Sequence, residues 1–381
     1  MERRQGTVED LVSGQLAGSV DRAFWKAKRV LVTGHTGFKG SWLGTWLVDM
    51  GSSVVGYALE PPTEPSMFEV LSLRGLLEHH DGDVRDADAL AGVLHRAAPE
   101  VVFHLAAQPL VREAHRDPVG TYATNIMGTV HLLQAVRQCP SVRVVVIVTT
   151  DKVYENREWL WGYREVDALG GHEPYSSSKA SAELVVAAWR STYFDPKAPS
   201  QTVTVATARA GNVVGGGDWA SDRLVPDAVR AFSVGRPVQL RNPLSTRPWQ
   251  HVLEPLGGYL LLAQRCWHET RFGQAFNFGP PPEDEVSVGE VIERLTRHWG
   301  DAARWEDVSS EQSGAPRESG RLQLDWSKAH TLLGWRPRTD LDWCLEQTAR
   351  WYQQHSNGSG AEQMRALTLE QVQAFERRST S

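Results

Sequence analysis

The stretch Arg29-Val30-Leu31-Val32-Thr33-Gly34-His35-Thr36-Gly37-Phe38-Lys39-Gly40 decides the fold, because it joins an apolar run directly to a glycine-rich turn. The β-branched run predicts a buried strand, and the amphipathic residues 41–50 that follow predict a helix. In such a unit Gly34 makes the tight turn, Gly37 lets a phosphate group approach the backbone, and Gly40 lets the helix pack closely on the strand. We therefore expect the N–H groups at the helix start to bind the pyrophosphate of a dinucleotide.

The alternation of strand and helix continues beyond this turn. Further apolar runs are Ser53-Val54-Val55-Gly56-Tyr57, Val101-Val102-Phe103-His104-Leu105, Val144-Val145-Val146-Ile147-Val148 and Val203-Thr204-Val205-Ala206-Thr207. Because their apolar character is continuous rather than alternating, we expect strands that are covered on both faces. Amphipathic stretches such as 87–97 and 125–138 are long enough to be crossover helices. The pattern predicts an α/β fold with a doubly wound parallel sheet of the Rossmann type.

The alternation ends after Arg209, where loops punctuated by glycine and proline begin. The tail from Glu283 alternates helical segments with breaks that contain Gly, Ser and Pro. We predict a smaller, mainly C-terminal substrate-binding lobe made from residues 209–249 and 281–381. Residues 27–208 and 250–280 are assigned to the dinucleotide-binding domain, and residues 1–26 to an N-terminal extension.

The composition excludes several classes of protein. Of 381 residues 41% are hydrophobic, and the net charge of −6 is not concentrated in any block, so we expect no nucleic-acid partner. No apolar run reaches the roughly 18 residues that span a bilayer, so we expect no membrane segment. Cys139, Cys266 and Cys344 are far apart and lack metal-ligand spacing. They predict no metal site and a reducing, cytoplasmic location.

The ends of the later strands supply further candidates for the dinucleotide site. The second strand ends in Tyr57-Ala58-Leu59-Glu60, without the acidic residue that usually binds the ribose 2′-hydroxyl. The choice between NAD and NADP therefore stays open, with Glu60 favouring NAD. Later strand ends, where the adenine and its ribose would lie, carry Asp83, Val84, Leu105, Ala106 and Ala107.

The chemistry is indicated by Tyr175-Ser176-Ser177-Ser178-Lys179, which places a tyrosine and a lysine one helical turn apart on one face. Thr149-Thr150-Asp151-Lys152 follows the preceding strand, where a parallel sheet presents groups to its ligand. A tyrosine that acts as a base must ionise near neutrality. One cation about 4 Å away, at an effective dielectric of about 20, supplies roughly the 4 kcal/mol required. Lys179 beside an oxidised nicotinamide is a sufficient source, and Thr150 can bind the same substrate hydroxyl.

These motifs resemble the extended short-chain dehydrogenase/reductase superfamily in three features. They are the turn of the form G-x-x-G-x-x-G, Asn125 in Thr124-Asn125-Ile126-Met127-Gly128-Thr129, and the Tyr175/Lys179 pair. Longer stretches are similar to its sugar-nucleotide 4,6-dehydratases, in the branch that acts on CDP-glucose, namely residues 32–42, 154–165, 211–220 and 247–255. The resemblance implies that NAD is bound by Gly34, Thr36, Gly37, Phe38, Lys39, Gly40, Asp83, Val84, Leu105, Ala106, Ala107, Asn125, Tyr175 and Lys179.

The resemblance also implies a dehydration that is redox-neutral overall. Tyr175 removes the proton of the sugar 4-hydroxyl while hydride passes to NAD, which leaves a 4-keto sugar with an acidic hydrogen on carbon 5. A base takes that hydrogen, an acid protonates the 6-hydroxyl as water leaves, and hydride returns to carbon 6. In this branch the acid is Asp151, which burial must keep protonated, and the base is Lys152, which must be neutral. The product from CDP-glucose is CDP-4-dehydro-6-deoxyglucose.

The substrate side carries over from the resemblance residue by residue. The implied substrate-binding residues are Gln108, Asn212, Arg223, Arg247 and His251. Asn212 and the glycines at 215–217 are expected at the nucleotide phosphates, and Arg247 at the diphosphate, whose oxygens suit bidentate donation. The superfamily resemblance further implies a homodimer formed through paired helices.

Three alternatives remain open from the sequence. A nucleotide-sugar 4-epimerase needs Thr150, Tyr175 and Lys179 but no elimination pair, so Asp151 and Lys152 argue against it. A 4,6-dehydratase that acts on another nucleotide sugar has the same catalytic residues. An NAD-binding scaffold without activity is disfavoured by the intact Thr/Tyr/Lys set.

Overall fold

The computed structural model describes residues 18–195, 203–301, 303–311 and 322–378, so residues 1–17 of the predicted N-terminal extension lie outside it. The strands are β1 (Arg29–Thr33), β2 (Ser53–Ala58), β3 (Glu78–Asp81), β4 (Val101–His104), β5 (Val144–Val148), β6 (Thr204–Ala210), β7 (Asn212–Val214), β8 (Val238–Leu240), β9 (Thr246–His251), β10 (Ala275–Phe278), β11 (Glu285–Ser287) and β12 (Trp305–Asp307). The α-helices are α1 (Arg22–Trp25), α2 (Phe38–Asp49), α3 (Met67–Val70), α4 (Ala87–Ala97), α5 (Val111–Arg116), α6 (Pro118–Tyr122), α7 (Gly128–Arg137), α8 (Pro174–Tyr193), α9 (Leu224–Ser233), α10 (Leu253–His268), α11 (Val288–Trp299), α12 (Ser327–Leu333), α13 (Leu341–Ser356) and α14 (Ala361–Arg377).

A parallel sheet of seven strands lies at the centre, in the order β10-β6-β5-β4-β1-β2-β3. The predicted doubly wound fold is therefore confirmed. Strand β1 pairs with β2 on one side and with β4 on the other, so the strand order reverses at β1. In sheets of this kind the ligand binds at the carboxyl ends of the strands beside such a reversal. The glycine turn after β1 lies at this position.

Two strands of the central sheet are absent from the sequence prediction. The edge strand β3 consists of Glu78-His79-His80-Asp81, a polar run without the apolar signal of a buried strand. The other edge strand, β10, is short and follows α10 far along the chain. Helix boundaries also differ, because α2 begins at Phe38, and the predicted helix at 125–138 begins as a π-helical turn at Ala123–Met127.

Helices cover both faces of the sheet. One apolar cluster packs α4, α7 and α8 on one face, with Leu90, Leu132 and Val186 fully buried. A second cluster joins α2, α10, α13 and α14 on the other face. Several tryptophans contribute to this packing, and those that are fully buried are Trp25, Trp42, Trp46 and Trp351.

The last helix packs against the first half of the chain rather than against the substrate lobe alone. The Trp46 indole on α2 donates to the Glu376 carboxylate over 2.9 Å, and its ring meets Phe375 edge-on. Residues 281–381 are predicted from the sequence to be part of the substrate-binding lobe. The contact shows that α14 also covers α2, while the substrate-binding role of that lobe stays a prediction.

Candidate active site

The glycine turn has the geometry that a close approach requires. Gly34 has a φ of +74°, and a Cβ at this position would lie 2.7 Å from the Ala106 nitrogen, so the ends of β1 and β4 touch here. A Cβ at Gly40 would lie 2.2 Å from the Gly34 carbonyl oxygen. At Gly37 the only near atom is the same carbonyl oxygen, at 3.4 Å. Gly34 and Gly40 therefore serve backbone packing, whereas Gly37 leaves open space on its exposed side.

The start of α2 can accept an anion. Gly37 is the N-cap residue, and no side chain bonds to the first N–H groups of the helix. Uncapped amides together with the positive end of the helix dipole suit a pyrophosphate. Nearby, the Thr36 hydroxyl donates to the Leu59 carbonyl over 2.8 Å and ties the turn to the end of β2. These residues fit the group that the sequence predicts at this position.

The later strand ends lie beside the turn as predicted from the parallel sheet. The Ala106 N–H donates to the Thr33 hydroxyl, and Leu105 and Ala107 flank it. Asp83 and Val84 follow β3, where the Asp83 carbonyl accepts from the Tyr57 phenol over 3.0 Å. The Asp83 carboxylate itself pairs with Arg85, at 2.8 Å from Nε. A contact of these residues with the adenosine half of the cofactor stays a prediction.

The end of β2 carries charges that bear on the choice of cofactor. Glu60 is exposed and pairs with Arg74 at 3.2 Å. The Arg74 guanidinium also lies 3.7 Å from both Glu69 and Asp81. Arg74, the cation that pairs with Glu60 at the end of β2, is therefore surrounded by three carboxylates. Little positive charge is left to bind the 2′-phosphate of NADP.

Asn125 links the loop after β4 to the helix that carries the catalytic pair. Its amide oxygen accepts from the Gln108 N–H over 2.8 Å, and its amide nitrogen donates to the Ser178 hydroxyl over 2.8 Å. Asn125 is buried in the π-helical turn before α7. Single π turns inside helices recur at functional sites. Asn125 therefore holds α8 at a fixed distance from the strand ends.

Thr150 and Asp151 are buried at the end of β5, next to the phenol of Tyr175. The Thr150 hydroxyl donates to the Asp151 carboxylate over 2.8 Å. Burial raises the pKa of Asp151, and the charge of Lys152 and the Thr150 hydrogen bond oppose this effect. A carboxyl that retains its proton can act as an acid. Asp151 and Lys152 are not a surface ion pair, because the Asp151 side chain is almost fully enclosed.

Tyr175 and Lys179 are both buried on α8. The Lys179 ammonium donates to the Val148 carbonyl over 3.0 Å, and burial lowers its pKa to about 8. Burial raises the pKa of Tyr175 to about 12, against a hydrogen bond with Thr150 that lowers it. Burial is the largest effect on this pKa, and Lys179, which the sequence predicts to lower it, is not among the main causes.

The Lys39 ammonium lies on the catalytic side of the glycine turn. Burial lowers its pKa to about 8, and its charged neighbours are Arg223, Asp151, Lys179 and Asp218. The contact of Lys39 with the cofactor stays a prediction, and the charges near its ammonium include those of the catalytic residues Asp151 and Lys179. Arg223 pairs with Asp218 at 2.7 Å and also faces Tyr175. Three cations, Lys39, Lys179 and Arg223, thus lie near one another, and Asp218 pairs with Arg223 alone, which favours an anionic ligand.

Two predicted substrate contacts have other partners. The Gln108 side-chain amide donates to the Thr121 hydroxyl and accepts from the Leu110 N–H, so it orders its own loop. His251 is fully buried between the rings of Trp42 and Trp343, where burial lowers its pKa to about 3. His251 is predicted as a substrate contact from the stretch 247–255. A sequence motif does not show whether a histidine ring packs in the core or contacts the substrate. The structure assigns it to the packing of α2 against α13.

Two of the glycines at 215–217 have a packing role. A Cβ at Gly216 would lie 2.1 Å from the Trp351 ring, and one at Gly217 would lie 2.9 Å from Met67. These glycines make room for side chains of distant elements, and a contact of their backbone with a phosphate stays a prediction. Asn212 begins β7, and Arg247 lies on β9, where its guanidinium donates to the Thr246 carbonyl. Their contacts with substrate phosphates stay predictions.

Sequence reasoning missed a buried polar network behind the catalytic residues. Glu183 lies one turn after Lys179 and binds Arg209 on β6 at 2.9 Å, with both side chains almost fully enclosed. Hydrogen bonds continue from Arg209 to the Tyr154 phenol, which donates to Asn277. Two signals in the sequence point to this pair. An acid stands four residues after the catalytic lysine, and an arginine ends an apolar strand.

The site can therefore move protons at two positions. Tyr175, with the Thr150 hydroxyl and the Lys179 ammonium beside it, can take the proton from one alcohol. The buried carboxyl of Asp151 can protonate a leaving group. Among the described residues no group of histidine, cysteine or carboxylate side chains is arranged to hold a metal ion. No helix in the described part of the chain is long and apolar enough to cross a membrane.

Comparison with known sequences gives a consistent result. Residues 31–348 match the family model described as GDP-mannose 4,6 dehydratase. The chain is 50% identical to a CDP-glucose 4,6-dehydratase of Salmonella typhimurium over 335 residues, which cover 87% of this chain and 92% of that protein. It is 29% identical to a dTDP-glucose 4,6-dehydratase of Streptomyces griseus over 334 residues, covering 86% and 94% of the two chains.

Comparison with solved structures agrees with the fold. The dTDP-glucose 4,6-dehydratase of Streptomyces venezuelae, crystallised with NAD, superposes with a TM-score of 0.71 at 25% identity, covering 86% of this chain and 98% of that one. A UDP-glucose-4-epimerase of Stenotrophomonas maltophila superposes with a TM-score of 0.73 at 24% identity, covering 87% and 99%. The second likeness concerns the fold alone.

Proposed function

This chain belongs to the GDP-mannose 4,6 dehydratase family of nucleotide-sugar dehydratases, and from that premise we propose that it converts CDP-glucose into CDP-4-dehydro-6-deoxyglucose and water. The 50% identity to a protein named for this activity supports the choice of CDP-glucose. The observation that carries the dehydration is the burial of Asp151 beside Tyr175 and Thr150. Epimerisation needs no acid at this position, whereas elimination of water does.

Each catalytic side chain has one task in this proposal. NAD, which the residues of the turn Gly34–Gly40 would hold, would supply hydride transfer at carbons 4 and 6 of the sugar. Tyr175 removes the proton of the 4-hydroxyl, which Thr150 binds, and Lys179 supplies positive charge. Lys152 then takes the proton from carbon 5, and Asp151 gives its proton to the departing 6-hydroxyl, which leaves as water.

NAD, rather than NADP, fits the cofactor site. The residues that would hold it are those of the turn Gly34–Gly40, whose helix start is uncapped and whose Gly37 leaves open space. Arg74 supports the choice, because three carboxylates already surround it near the expected position of the adenosine ribose. A 2′-phosphate at this position would meet the negative charges of Glu60, Glu69 and Asp81.

Positive charge at the site supports a substrate with a diphosphate. Lys39 and Arg223 are half-buried near one another, and because Asp218 pairs with Arg223 alone, a further anion would be stabilised between the two cations. Asn212 and Arg247 are retained as candidate phosphate contacts. Gln108 and His251 have less support, because their side chains are engaged within the protein.

A panel of nucleotide sugars analysed by mass spectrometry tests the function. Incubation with CDP-glucose should give a product that is lighter by one water, and deuterium placed on carbon 4 should appear on carbon 6. CDP-glucose should be consumed faster than its dTDP, GDP and UDP counterparts. If NAD-loaded protein leaves the mass of CDP-glucose unchanged, the assignment is wrong. Conversion to CDP-galactose without loss of water would favour the epimerase.

We further infer a homodimer that forms through α6 to α8. Large apolar side chains on these helices are exposed, namely Val119, Tyr122, Met127 and Leu184. The helices are tied together by a hydrogen bond of 2.7 Å between Tyr122 and Ser177. Leu184→Asp should convert a dimer into a monomer in light scattering, whereas Val234→Asp, at an exposed apolar residue outside these helices, should not. A wild-type monomer would contradict the proposal.

We also propose that the protein is located in the cytoplasm. Cys139, Cys266 and Cys344 are all free thiols and all buried. Unpaired thiols suit a reducing compartment. Cell fractionation with an antibody against the chain measures the location directly, and recovery with secreted proteins would contradict it.

A further inference from the structure

Glu183 is a buried carboxylate to which the proposed reaction gives no task. It accepts hydrogen bonds from the Thr149 hydroxyl over 2.6 Å and from the Thr207 hydroxyl over 2.8 Å. Arg209 adds two parallel bonds of 2.9 Å each, from Nε and Nη2. Burial opposes the charge of Glu183, but these hydrogen bonds hold its pKa below the usual value. The carboxylate therefore joins α8, β6 and Thr149, the residue that directly follows β5.

The network holds both ends of the catalytic segment. Thr149, which binds Glu183, stands directly before Thr150 and the turn Asp151–Val153. Tyr154 stands directly after that turn, accepts from Arg209 over 2.8 Å, and donates to Asn277 over 2.7 Å. The hydrogen bonds of Thr149 and Tyr154 are therefore both made to the Glu183–Arg209 ion pair. The segment 150–153 is thus fixed at its start and at its end to a single buried centre.

The same centre is coupled to the oxidation pair. Glu183 lies four residues after Lys179 on α8, on the helix face that carries the ammonium. Its charge favours the protonated form of Lys179, against the burial that lowers the pKa of that lysine. One carboxylate therefore sets the spacing between the residues that oxidise the sugar and the residues that eliminate water.

We propose that Glu183 and Arg209, acting through Thr149 and Tyr154, are positioning residues that hold Asp151 and Lys152 at the sugar carbons 5 and 6. This inference rests on the proposed dehydration. Neither residue touches the substrate in it. A rigid segment matters because a displacement of about 1 Å costs about 100-fold in the rate of an aligned reaction.

Substitutions at Thr149 separate positioning from packing. Thr149→Val retains the volume and removes the hydroxyl, while Arg209 still binds Glu183. Thr149→Ser retains the hydroxyl and removes a methyl group. If the hydroxyl positions the segment, the Val variant should lose about 10- to 100-fold in kcat with KM unchanged, and the Ser variant should approach the wild type. If Thr149 only fills space, the order of the two variants should be reversed.

The cofactor reports which step is slowed. Because Tyr175 and Lys179 remain in place, whereas Thr150, Asp151 and Lys152 lie in the loosened segment, Thr149→Val and Tyr154→Phe should slow the elimination of water more than the oxidation. Reduced nicotinamide should then accumulate during turnover, which absorbance measures. The matched control is the pair Thr348→Val and Thr348→Ser, at a fully buried threonine whose hydroxyl bonds to the Cys344 carbonyl within α13. Both control variants should keep the wild-type fraction of reduced cofactor.

A measurement without substrate completes the test. Amide hydrogen exchange in the peptide that spans residues 150–154 should accelerate at least about tenfold in Thr149→Val and Tyr154→Phe, and not in the Thr348 variants. Unchanged exchange together with an unchanged fraction of reduced cofactor would overturn the inference. Failure of the wild type to dehydrate CDP-glucose would instead reject the proposed function, and the exchange experiment would still show whether the network holds the segment.

Discussion

At the scale of single residues, the order of the two chemical steps can be separated by mutation. Tyr175→Phe removes the group that takes the proton of the 4-hydroxyl, so oxidation should not occur and no reduced nicotinamide should form in a single turnover. The rate should fall by about 10²- to 10⁴-fold, as is typical for removal of a general base. Tyr193→Phe, at the exposed end of the same helix, is the control. Reduced cofactor formed at the normal rate by Tyr175→Phe would contradict the assignment.

Lys152 belongs to the second step. Lys152→Ala should permit oxidation and then stop, because no base remains for the proton on carbon 5. Reduced cofactor should accumulate, and acid quenching should release a 4-keto sugar that retains its 6-hydroxyl. Lys28→Ala, at a lysine that packs over Trp267 away from the site, should behave like the wild type. Normal turnover by Lys152→Ala would show that another group is the base.

At the scale of elements, the glycine turn predicts two different kinds of defect. In Gly40→Ala the added carbon would lie 2.2 Å from the Gly34 carbonyl, so α2 must move away from β1 and the protein should be less stable. In Gly37→Ala the nearest atom is 3.4 Å away, so the fold should persist. The methyl group would, however, occupy the space in front of the uncapped helix start.

Thermal unfolding and cofactor titration measure these two defects separately. Gly40→Ala should lower the melting temperature, whereas Gly37→Ala should mainly weaken the binding of NAD. Gly75→Ala is a suitable control, because a Cβ there would meet nothing within 4 Å. Equal NAD affinity in Gly37→Ala and the wild type would contradict the assigned position of the pyrophosphate.

At the scale of the whole molecule, Glu254 predicts how stability depends on pH. This carboxyl on α10 is fully buried, and its Oε1 accepts from the Arg338 N–H, the Thr339 N–H and the Thr339 hydroxyl. Burial raises the pKa of Glu254 to about 7, against hydrogen bonds that lower it. It thereby anchors the segment before α13 to the helix that covers the central sheet.

The sign of the effect follows from the raised pKa. Below about pH 4.5 the group is protonated in both states, and its contribution to stability is complete. As the pH rises toward 7, the unfolded chain loses the proton while the folded chain retains it, so up to about 3 kcal/mol of stability is lost. Glu254→Gln should reduce this slope in denaturant titrations by the contribution of Glu254, whereas exposed Glu362→Gln should leave it unchanged. A slope that is identical in Glu254→Gln and the wild type would contradict the prediction.

The sequence by itself determined the strand–turn–helix unit, most strands of the parallel sheet and the Tyr175/Lys179 pair. These features are local, because glycine spacing, apolar runs and helical periodicity act within a few residues of one another. Thr150 and Asp151 could be placed with them because the ends of parallel strands meet at one edge of the sheet.

Only the tertiary structure decided which residues from distant segments meet. Gly216 packs against the Trp351 ring, where a Cβ would not fit, His251 packs between Trp42 and Trp343, and Lys39 lies within electrostatic range of Asp151. The Glu183–Arg209 pair likewise depends on α8 lying over β6. No local pattern encodes these contacts, because they follow from how separate layers pack against one sheet and exclude water between them.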